Sequence, residues 1–227
     1  DGRIDLAAVD QDGALVLRLG QGGGSFATSQ TLAGPATAFK VRAGDLDGDG
    51  APDLVVASRD GGVATWINDG FGQFAAGTPV GVGTNVTDLA LADVDGDGAL
   101  DLVVIRLGGG GALWFRGVGD GNFLSPITRP ASPGGDLVGL SVADLDGDGL
   151  AEFVCCDVAR DSVIVLPGDG SAEIVIATGL EPASTAIGDL NADGTPEIAV
   201  ALIGGRRVQV LGRTAARTWT EVDAVLA

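Results

Sequence analysis

Short apolar runs separated by Gly, Asp, Asn and Pro extend along the whole chain. In one stretch these runs lie at residues 86–92, 101–105, 112–115 and 122–127, and they are rich in Val, Leu, Ile and Phe. Such runs between turn residues predict β-strands joined in hairpins. No apolar stripe with a helical period interrupts them, so we expect almost no helix. The pattern predicts an all-β protein.

An acidic nonapeptide separates the first and second runs of each period, with the pattern Asp-x-Asp-x-Asp-Gly-x-x-Asp/Glu, in which the fourth copy has Asn at the third position. Complete copies begin at Asp45, Asp93, Asp144 and Asp189, and residues 1–5 match the back half of a fifth copy. Equivalent residues of successive copies are 45 to 51 residues apart. A period of this size is typical of repeat arrays, and four antiparallel strands in each period, arranged radially, form a β-propeller blade.

The fold class predicted from this repeat is an all-β propeller of four-stranded antiparallel blades, with five repeats visible and one of them incomplete. Residues 1–227 would form one propeller domain or a segment of one. The predicted blades are approximately residues 1–36, 37–84, 85–134, 135–181 and 182–227. One innermost strand is missing from this set, so either the chain covers part of a larger propeller or five blades close with one incomplete.

The composition excludes several classes of function. A net charge of −18 disfavours nucleic acid as a partner, because phosphate would be repelled. No apolar run is long enough to insert across a bilayer. The chain has no His and no Tyr, which removes the commonest general acid and base, so we expect no enzymatic activity. Cys155 and Cys156 are neighbours that would point to opposite faces of a strand, and we expect them to remain unbridged.

Each acidic loop concentrates hard oxygen ligands around one small space. The side chains at positions 1, 3, 5 and 9 are carboxylates, with one Asn, and position 7 can offer a backbone carbonyl. Such a set suits Ca²⁺ better than Mg²⁺ or a transition metal. The predicted ligands are Asp45, Asp47, Asp49, Ala51 and Asp53; Asp93, Asp95, Asp97, Ala99 and Asp101; Asp144, Asp146, Asp148, Leu150 and Glu152; and Asp189, Asn191, Asp193, Thr195 and Glu197.

The loops have two other interpretations, an EF-hand and a set of turn caps. An EF-hand needs an acidic ligand at position 12 and flanking helices, whereas position 12 here is Val56, Val104, Cys155 or Val200. Alternatively, the aspartates could serve only to cap turns. However, the motif recurs as four carboxylate clusters in matching register, and the like charges within each cluster would repel one another at close range without a cation. We therefore predict about four Ca²⁺ sites. The loop containing Asn191 has one fewer charge and should bind most weakly.

The four loops, the Asp-Leu-Val-Val strands at residues 53–56 and 101–104, and the hairpin sequence at residues 68–74 resemble the FG-GAP/VCBS repeat family. Blades of this family occur in integrin α-subunit head domains and in many secreted bacterial proteins. The resemblance implies Ca²⁺ binding through the side chains at loop positions 1, 3, 5 and 9 and the carbonyl at position 7.

The function expected from this resemblance is that of an extracellular, calcium-binding module for protein interaction, adhesion or structural support. The protein would be secreted or at the cell surface, with a protein partner or a second copy as its ligand. A lectin-like propeller is the alternative, with Trp66, Trp114 and Trp219 as candidate platforms for a glycan. However, Trp66 and Trp114 fall in third strands, where packing between neighbouring blades is the simpler expectation. A non-catalytic domain of a larger secreted enzyme is a further possibility.

Overall fold

The computed structural model describes residues 2–10, 12–27, 30–108, 110–131, 135–215 and 218–226. Within these ranges the chain contains strands and turns but no helix, and therefore no helix suited to crossing a membrane. The chain forms two compact units. The first comprises Asp1–Val86 and Val118–Phe123, and the second comprises Thr87–Gly117 and Leu124–Ala227.

The first unit contains a four-stranded antiparallel sheet, a three-stranded sheet and a small hairpin. Strands β6, β7, β8 and β9 form the four-stranded sheet in sequential order, β1, β2 and β5 form the three-stranded sheet, and β3 pairs with β4. The strands are β1 Leu6–Val9, β2 Leu15–Arg18, β3 Gly20–Gly22, β4 Ser25–Phe26, β5 Gln30–Leu32, β6 Ala38–Gly44, β7 Asp53–Ser58, β8 Gly62–Asn68 and β9 Phe74–Ala76.

The second unit contains four-stranded antiparallel sheets in which the strands follow one another in sequence order. Their orders are β10-β11-β12-β13, β14-β15-β16-β17 and β18-β19-β20-β21. The strands are β10 Val86–Ala92, β11 Asp101–Arg106, β12 Gly111–Phe115, β13 Ile127–Pro130, β14 Leu137–Ala143, β15 Glu152–Asp157, β16 Ser162–Leu166, β17 Ile174–Ala177, β18 Pro182–Gly188, β19 Glu197–Leu202, β20 Arg207–Ala215 and β21 Thr218–Leu226. The chain is thus all-β and built from repeated four-stranded sheets, as the sequence predicts.

The core of each unit lies between neighbouring sheets. Strands β7 and β15 are buried at every position, which explains why they read as continuous apolar runs rather than alternating ones. In the first unit Trp66 packs with Leu15 and Leu17 of the adjacent sheet. In the second unit Trp114 makes an edge-to-face contact with Phe153, with ring centroids 6.5 Å apart. The prediction that Trp66 and Trp114 pack between sheets is therefore confirmed.

The two cysteines lie in β15 and are both free and fully buried. Cys155 packs in one core cluster of the second unit and Cys156 in another, because neighbours in a strand face opposite sides of the sheet. Burial raises the pKa of Cys156 to about 12 and raises that of Cys155 as well. The prediction of unbridged thiols is confirmed, and both side chains contribute to packing.

The fourth strand expected at residues 122–127 lies elsewhere. The chain bends at residues 119–121, Asn122 N–H donates to Asp120 Oδ1 at 3.0 Å, and the carbonyl of Asn122 accepts from Val118 N at 3.2 Å. The pairing that completes the sheet is made by β13, in which Ile127 is opposite Trp114. The predicted strand is therefore interrupted: Phe123 forms a single β-bridge, in which Leu124 N donates to the carbonyl of Arg116 at 2.8 Å, and continuous pairing begins only at Ile127.

The first strands of neighbouring sheets in the second unit are joined by short hydrogen bonds. Thr87 Oγ1 of β10 donates to the carbonyl of Leu137 of β14 at 2.7 Å. Thr185 Oγ1 of β18 donates to the carbonyl of Gly139 at 2.7 Å. Gly139 lies where the register of β14 shifts, between Val138 and Ser141, and its φ is 62°. These bonds require the two backbones to approach closely.

Replacing Gly139 with Ala should therefore destabilise the protein. A Cβ there would lie 2.6 Å from Ser184 Cα and 2.7 Å from the carbonyl oxygen of Ala183. Backbone strain and the clash together should lower the free energy of unfolding by at least about 2 kcal/mol. The measurement is urea unfolding of Gly139→Ala beside Gly81→Ala, since a Cβ at Gly81 meets no atom within 4 Å. Equal stability of the two variants would contradict this account of the contact.

Candidate metal centres

The acidic loops connect the first and second strands of four sheets. Antiparallel pairing continues to the base of each loop, so that Gly44 pairs with Asp53, Ala143 with Glu152, and Gly188 with Glu197. This pairing brings the residue at position 9 back beside the residue at position 1. The β-ladder therefore closes each acidic segment into a compact loop.

The carboxylate at position 1 organises the turn of the loop. Asp45 Oδ1 accepts from Gly48 N at 2.8 Å, and Oδ2 accepts from Gly50 N at 2.9 Å. The bond from position 6 to the second carboxylate oxygen recurs at 2.9–3.0 Å in the loops that begin at Asp93, Asp144 and Asp189. The same turn thus forms in all four loops, because Asp side chains bond readily to nearby backbone N–H groups.

Two left-handed residues allow each turn. Positions 4 and 6 of the first loop are Gly48 and Gly50, with φ of 78° and 86°. The second and third loops also have Gly at these positions. In the fourth loop position 4 is Ala192, which adopts a φ of 61°. A residue with a Cβ is disfavoured there by about 1 kcal/mol, so this loop carries strain that the others avoid.

The carboxylate at position 9 is buried in every loop and ties the loop to the sheet. Asp53 Oδ2 accepts from Leu46 N at 2.7 Å, while Oδ1 accepts from Asn68 N, at the end of β8, at 2.8 Å. The bond to the N–H at position 2 recurs at Asp101, Glu152 and Glu197, with distances of 3.1, 2.7 and 2.8 Å. This side chain thus serves as a structural link as well as a candidate ligand.

The residues that donate to position 9 from the third strand were not identified from the sequence. The donors are backbone N–H groups: Gly20 donates to Asp5, Asn68 to Asp53, Gly117 to Asp101, and Gly168 to Glu152. A Cβ at Gly117 would lie 2.2 Å from the carbonyl oxygen of Leu100, so the position favours Gly. Its sequence signal is a Gly or Asn 15 or 16 residues after the last acidic residue of each motif.

Three groups of carboxylates are close enough to share one cation, with one oxygen from each residue within 4.8 Å of the others. They are Asp45, Asp47 and Asp53; Asp93, Asp95 and Asp97; and Asp144, Asp146 and Glu152. Asp101 is not in the second group; besides the bonds from Val94 N and Gly117 N, it accepts one from Trp114 Nε1 at 2.8 Å. The structure therefore brings together most, but not all, of the predicted carboxylates.

The fifth-position carboxylates are exposed in all four loops, and Asp97 is the one that belongs to a group. The fifth-position side chains of Asp49, Asp97, Asp148 and Asp193 each accept a bond from the N–H two residues later, at 2.7–2.9 Å. Those N–H groups belong to the seventh-position residues Ala51, Ala99, Leu150 and Thr195. The bonds fix the backbone from which the predicted carbonyl ligands extend.

The fourth loop has a different arrangement. Asn191 Nδ2 donates to Asp193 Oδ2 at 3.0 Å and to Glu197 Oε1 at 2.9 Å. The side-chain amide thus links two carboxylates that in the other loops would face a cation. Residues 189–197 are all described, and they contain no group of three carboxylates within the distance that defines the other groups.

Electrostatics favour a cation in the first three loops. Burial is the main factor that raises the pKa of Asp53, Asp101 and Glu152, and the carboxylate at position 3 of the same loop raises it further. The ionised forms of these residues are thus unfavourable when the loop holds only negative charge. A bound dication would remove this penalty, and an all-oxygen donor set fits Ca²⁺.

The second loop already has a positive group beside its carboxylates. Arg116 Nε lies 2.5 Å from Asp95 Oδ2, and Arg116 Nη2 lies 3.3 Å from Asp97 Oδ2. The other oxygen of Asp95, Oδ1, is buried without a hydrogen-bond partner. One oxygen of Asp95 is therefore paired with a guanidinium, while the second has its bonding capacity unused.

Comparisons with known proteins connect this architecture to a family. A family model described as an FG-GAP-like repeat matches residues 1–56, 45–104 and 93–155. A comparison with curated protein sequences finds no significant match.

Solved structures share the fold at low sequence identity. One is a lectin from Agrocybe aegerita that recognises non-reducing terminal N-acetylglucosamine, with a TM-score of 0.69 and 19% identity over 98% of this chain and 62% of that chain. Another is Sqt1 from Saccharomyces cerevisiae, with a TM-score of 0.68 and 17% identity over 98% of this chain and 60% of that chain. A third is BBS1N in complex with ARL6DN, with a TM-score of 0.59 and 16% identity over 82% and 55%. The chain thus spans less than two thirds of the length of each.

The two roles assigned to the loop carboxylates can be separated in metal-free protein. Asp53→Ala removes the buried acceptor for two backbone N–H groups and should lower the free energy of unfolding by about 2 kcal/mol in chelator. Asp49→Ala removes one exposed acceptor and should change stability by less than about 0.5 kcal/mol. Chemical denaturation in EDTA measures both. If Asp53→Ala is as stable as Asp49→Ala without metal, the structural role of position 9 is wrong.

Proposed function

Because the chain belongs to the family of FG-GAP-like repeats, we propose that it is an extracellular, calcium-binding β-propeller module that acts as a scaffold for protein interaction. The observation that carries this proposal is the repeated cluster of carboxylates, three of which lie within 4.8 Å of one another in each of three loops. The proposal treats each four-stranded sheet as one blade. It assigns no catalytic role to the chain.

The first and third loops are the strongest candidates for Ca²⁺. Asp45, Asp47 and Asp53 would hold the ion in the first loop, and Asp144, Asp146 and Glu152 would hold it in the third. Bound Ca²⁺ would supply positive charge to groups whose burial disfavours ionisation. We propose weaker binding in the fourth loop, because the amide of Asn191 links Asp193 and Glu197 and because Ala192 is strained.

An extracellular location would suit loops of this type. Calcium-binding modules outside cells have dissociation constants of about 10⁻⁴ to 10⁻³ M, which match the free Ca²⁺ found there. A net charge of −18 also leaves excess negative charge for bound Ca²⁺ to offset. A secreted or surface protein would therefore hold its loops in the metal-bound form.

Protein binding is the role favoured for the module. One chain of the same fold, BBS1N, was crystallised in complex with ARL6DN. Blade loops fixed by Ca²⁺ would present a rigid surface of this kind, since pre-ordered loops lose less entropy on binding. A protein partner or a second copy of the chain would be the ligand.

Calcium should stabilise the protein, and more so at neutral than at acidic pH. Because the pKa values of Asp53, Asp101 and Glu152 are raised, the folded state binds protons more tightly than the unfolded state. The contribution of these groups to the stability of the metal-free protein therefore falls as the pH rises from their unfolded-state pKa to their folded-state pKa. Protons and Ca²⁺ compete for the same oxygens. At about 100 times its dissociation constant, Ca²⁺ should raise the melting temperature by about 5 to 10 °C near pH 7.5 and by less near pH 5.

Differential scanning fluorimetry with Ca²⁺, Mg²⁺ and EDTA at both pH values measures this effect. Mg²⁺ is the control, because its smaller octahedral shell fits these loops less well. Identical melting temperatures in Ca²⁺ and EDTA would contradict a structural calcium site.

A glycan-binding role is a second candidate, favoured by a cleft in the second unit. The cleft has a volume of about 120 Å³ and is lined by apolar residues that include Leu145, Val165 and Ile174, and by Trp219 and Arg213. Carboxylates of the third acidic loop also line it. An aromatic ring beside several charged groups is a combination that suits a sugar ring. The fold likeness to the Agrocybe aegerita lectin supports this candidate, whereas Trp66 and Trp114 are buried and cannot contribute.

A glycan array and a pull-down, each with Ca²⁺ and with EDTA, distinguish the two candidates. The scaffold role predicts protein capture in Ca²⁺ only, with no glycan bound. Glycan binding that is lost in Trp219→Ala, while the variant keeps the wild-type melting temperature, would favour the lectin role and overturn the first candidate.

A further inference from the structure

We propose that Arg116 is a built-in counter-ion of the second acidic loop, which makes this loop a weaker calcium site that fills only when the guanidinium leaves. The inference rests on the proposed calcium function. It assigns different roles to loops that have nearly the same sequence.

The guanidinium contacts the carboxylates that would hold the ion. Asp95 and Asp97, which Arg116 pairs with, are two of the three residues in the second carboxylate group. A guanidinium and a dication at the same carboxylates would repel each other. Calcium binding in this loop therefore requires Arg116 to move away or to share its partners.

The backbone fixes the origin of this side chain. Arg116 directly follows β12, and the next residue, Gly117, donates to the buried Asp101 at 2.7 Å. The carbonyl of Arg116 accepts from Leu124 N at 2.8 Å. The side chain thus starts from a fixed point beside the loop, while 39% of its surface remains exposed. It can move into solvent without a change in the fold.

An arginine at this register is particular to the second loop, whereas the third loop has a longer ion pair with an arginine of the next sheet, Arg213 Nη2 to Asp146 Oδ2 at 3.8 Å. Arg116 follows Phe115, which pairs with Leu102, the residue after position 9 of the loop. In the other three sheets, the residue that follows the equivalent pair is Ile67, Pro167 or Gly212. None of these three residues carries a charge. The second loop therefore differs in having a guanidinium that contacts two carboxylates of its group, at 2.5 and 3.3 Å.

The guanidinium satisfies the loop only in part. Asp95 Oδ1 remains buried without a hydrogen-bond partner, although Oδ2 is paired. A Ca²⁺ ion coordinates several oxygens, so it could bind the carboxylates of the second group together with Oδ1 of Asp95. Ca²⁺ at sufficient concentration should therefore displace Arg116. Filling the second loop would then release an exposed cationic side chain at the surface, which links calcium concentration to surface charge.

The test follows calcium binding at individual loops of the full chain. NMR titration with CaCl₂ monitors the backbone amides of Gly50, Gly98 and Gly149, which report the first, second and third loops. In the wild type, the Gly98 signal should shift at higher Ca²⁺ concentration than those of Gly50 and Gly149. Arg116→Gln should lower the Gly98 midpoint by about two- to fivefold, which corresponds to the loss of one competing ion pair. The Gly50 midpoint should not change.

A matched control separates this local effect from net charge. Arg18→Gln makes the same change in charge at an exposed residue of β2 and should leave all three midpoints unchanged. The inference is overturned if Arg116→Gln leaves the Gly98 midpoint unchanged, or if Arg18→Gln shifts it equally. If Gly50 and Gly149 also fail to respond to Ca²⁺, the proposed calcium function itself fails, which is a distinct result.

Discussion

A buried carboxylate at the end of each acidic loop is the interaction on which the rest of the structure depends. Asp53, Asp101, Glu152 and Glu197 each begin a second strand and each accept a bond from the N–H at position 2 of their own loop. In the first three of these loops the same side chain also accepts from the end of the third strand. One residue thus joins the loop, the central strand and the neighbouring hairpin of a sheet.

This link places negative charge where burial disfavours it. Burial raises the pKa of Asp53, Asp101 and Glu152, and nearby loop carboxylates add repulsion. The acidic loops have different partners for their carboxylates. The guanidinium of Arg116 contacts Asp95 and Asp97 in the second loop, and the side-chain amide of Asn191 contacts Asp193 and Glu197 in the fourth. Loops with one consensus sequence therefore differ in their electrostatic environment, and we expect them to differ in their affinity for Ca²⁺.

Much of this architecture was predictable from local sequence. The repeat length and the short apolar runs indicate four-stranded sheets, and the acidic motif indicates where oxygen ligands gather. Two features were not predictable in the same way. The pairing of Arg116 with the second loop depends on strand register, because the arginine lies 21 residues after Asp95 in sequence. The fourth strand begins at Ile127 rather than Asn122, because Phe123 makes only a single β-bridge before the chain bends at Ser125, and an apolar run does not reveal such a break.

The central claim is that position 9 holds the loops in a metal-ready conformation even without metal. Amide hydrogen exchange in EDTA tests it most directly, at the N–H groups of Leu46, Asn68 and Gly117, which donate to Asp53 or Asp101. The account predicts that these amides exchange as slowly as those of β7 and β11, because the bonds open only when the sheet opens. Exchange as fast as that of exposed turns, with protection gained only in Ca²⁺, would show that the metal rather than the carboxylate builds the loop.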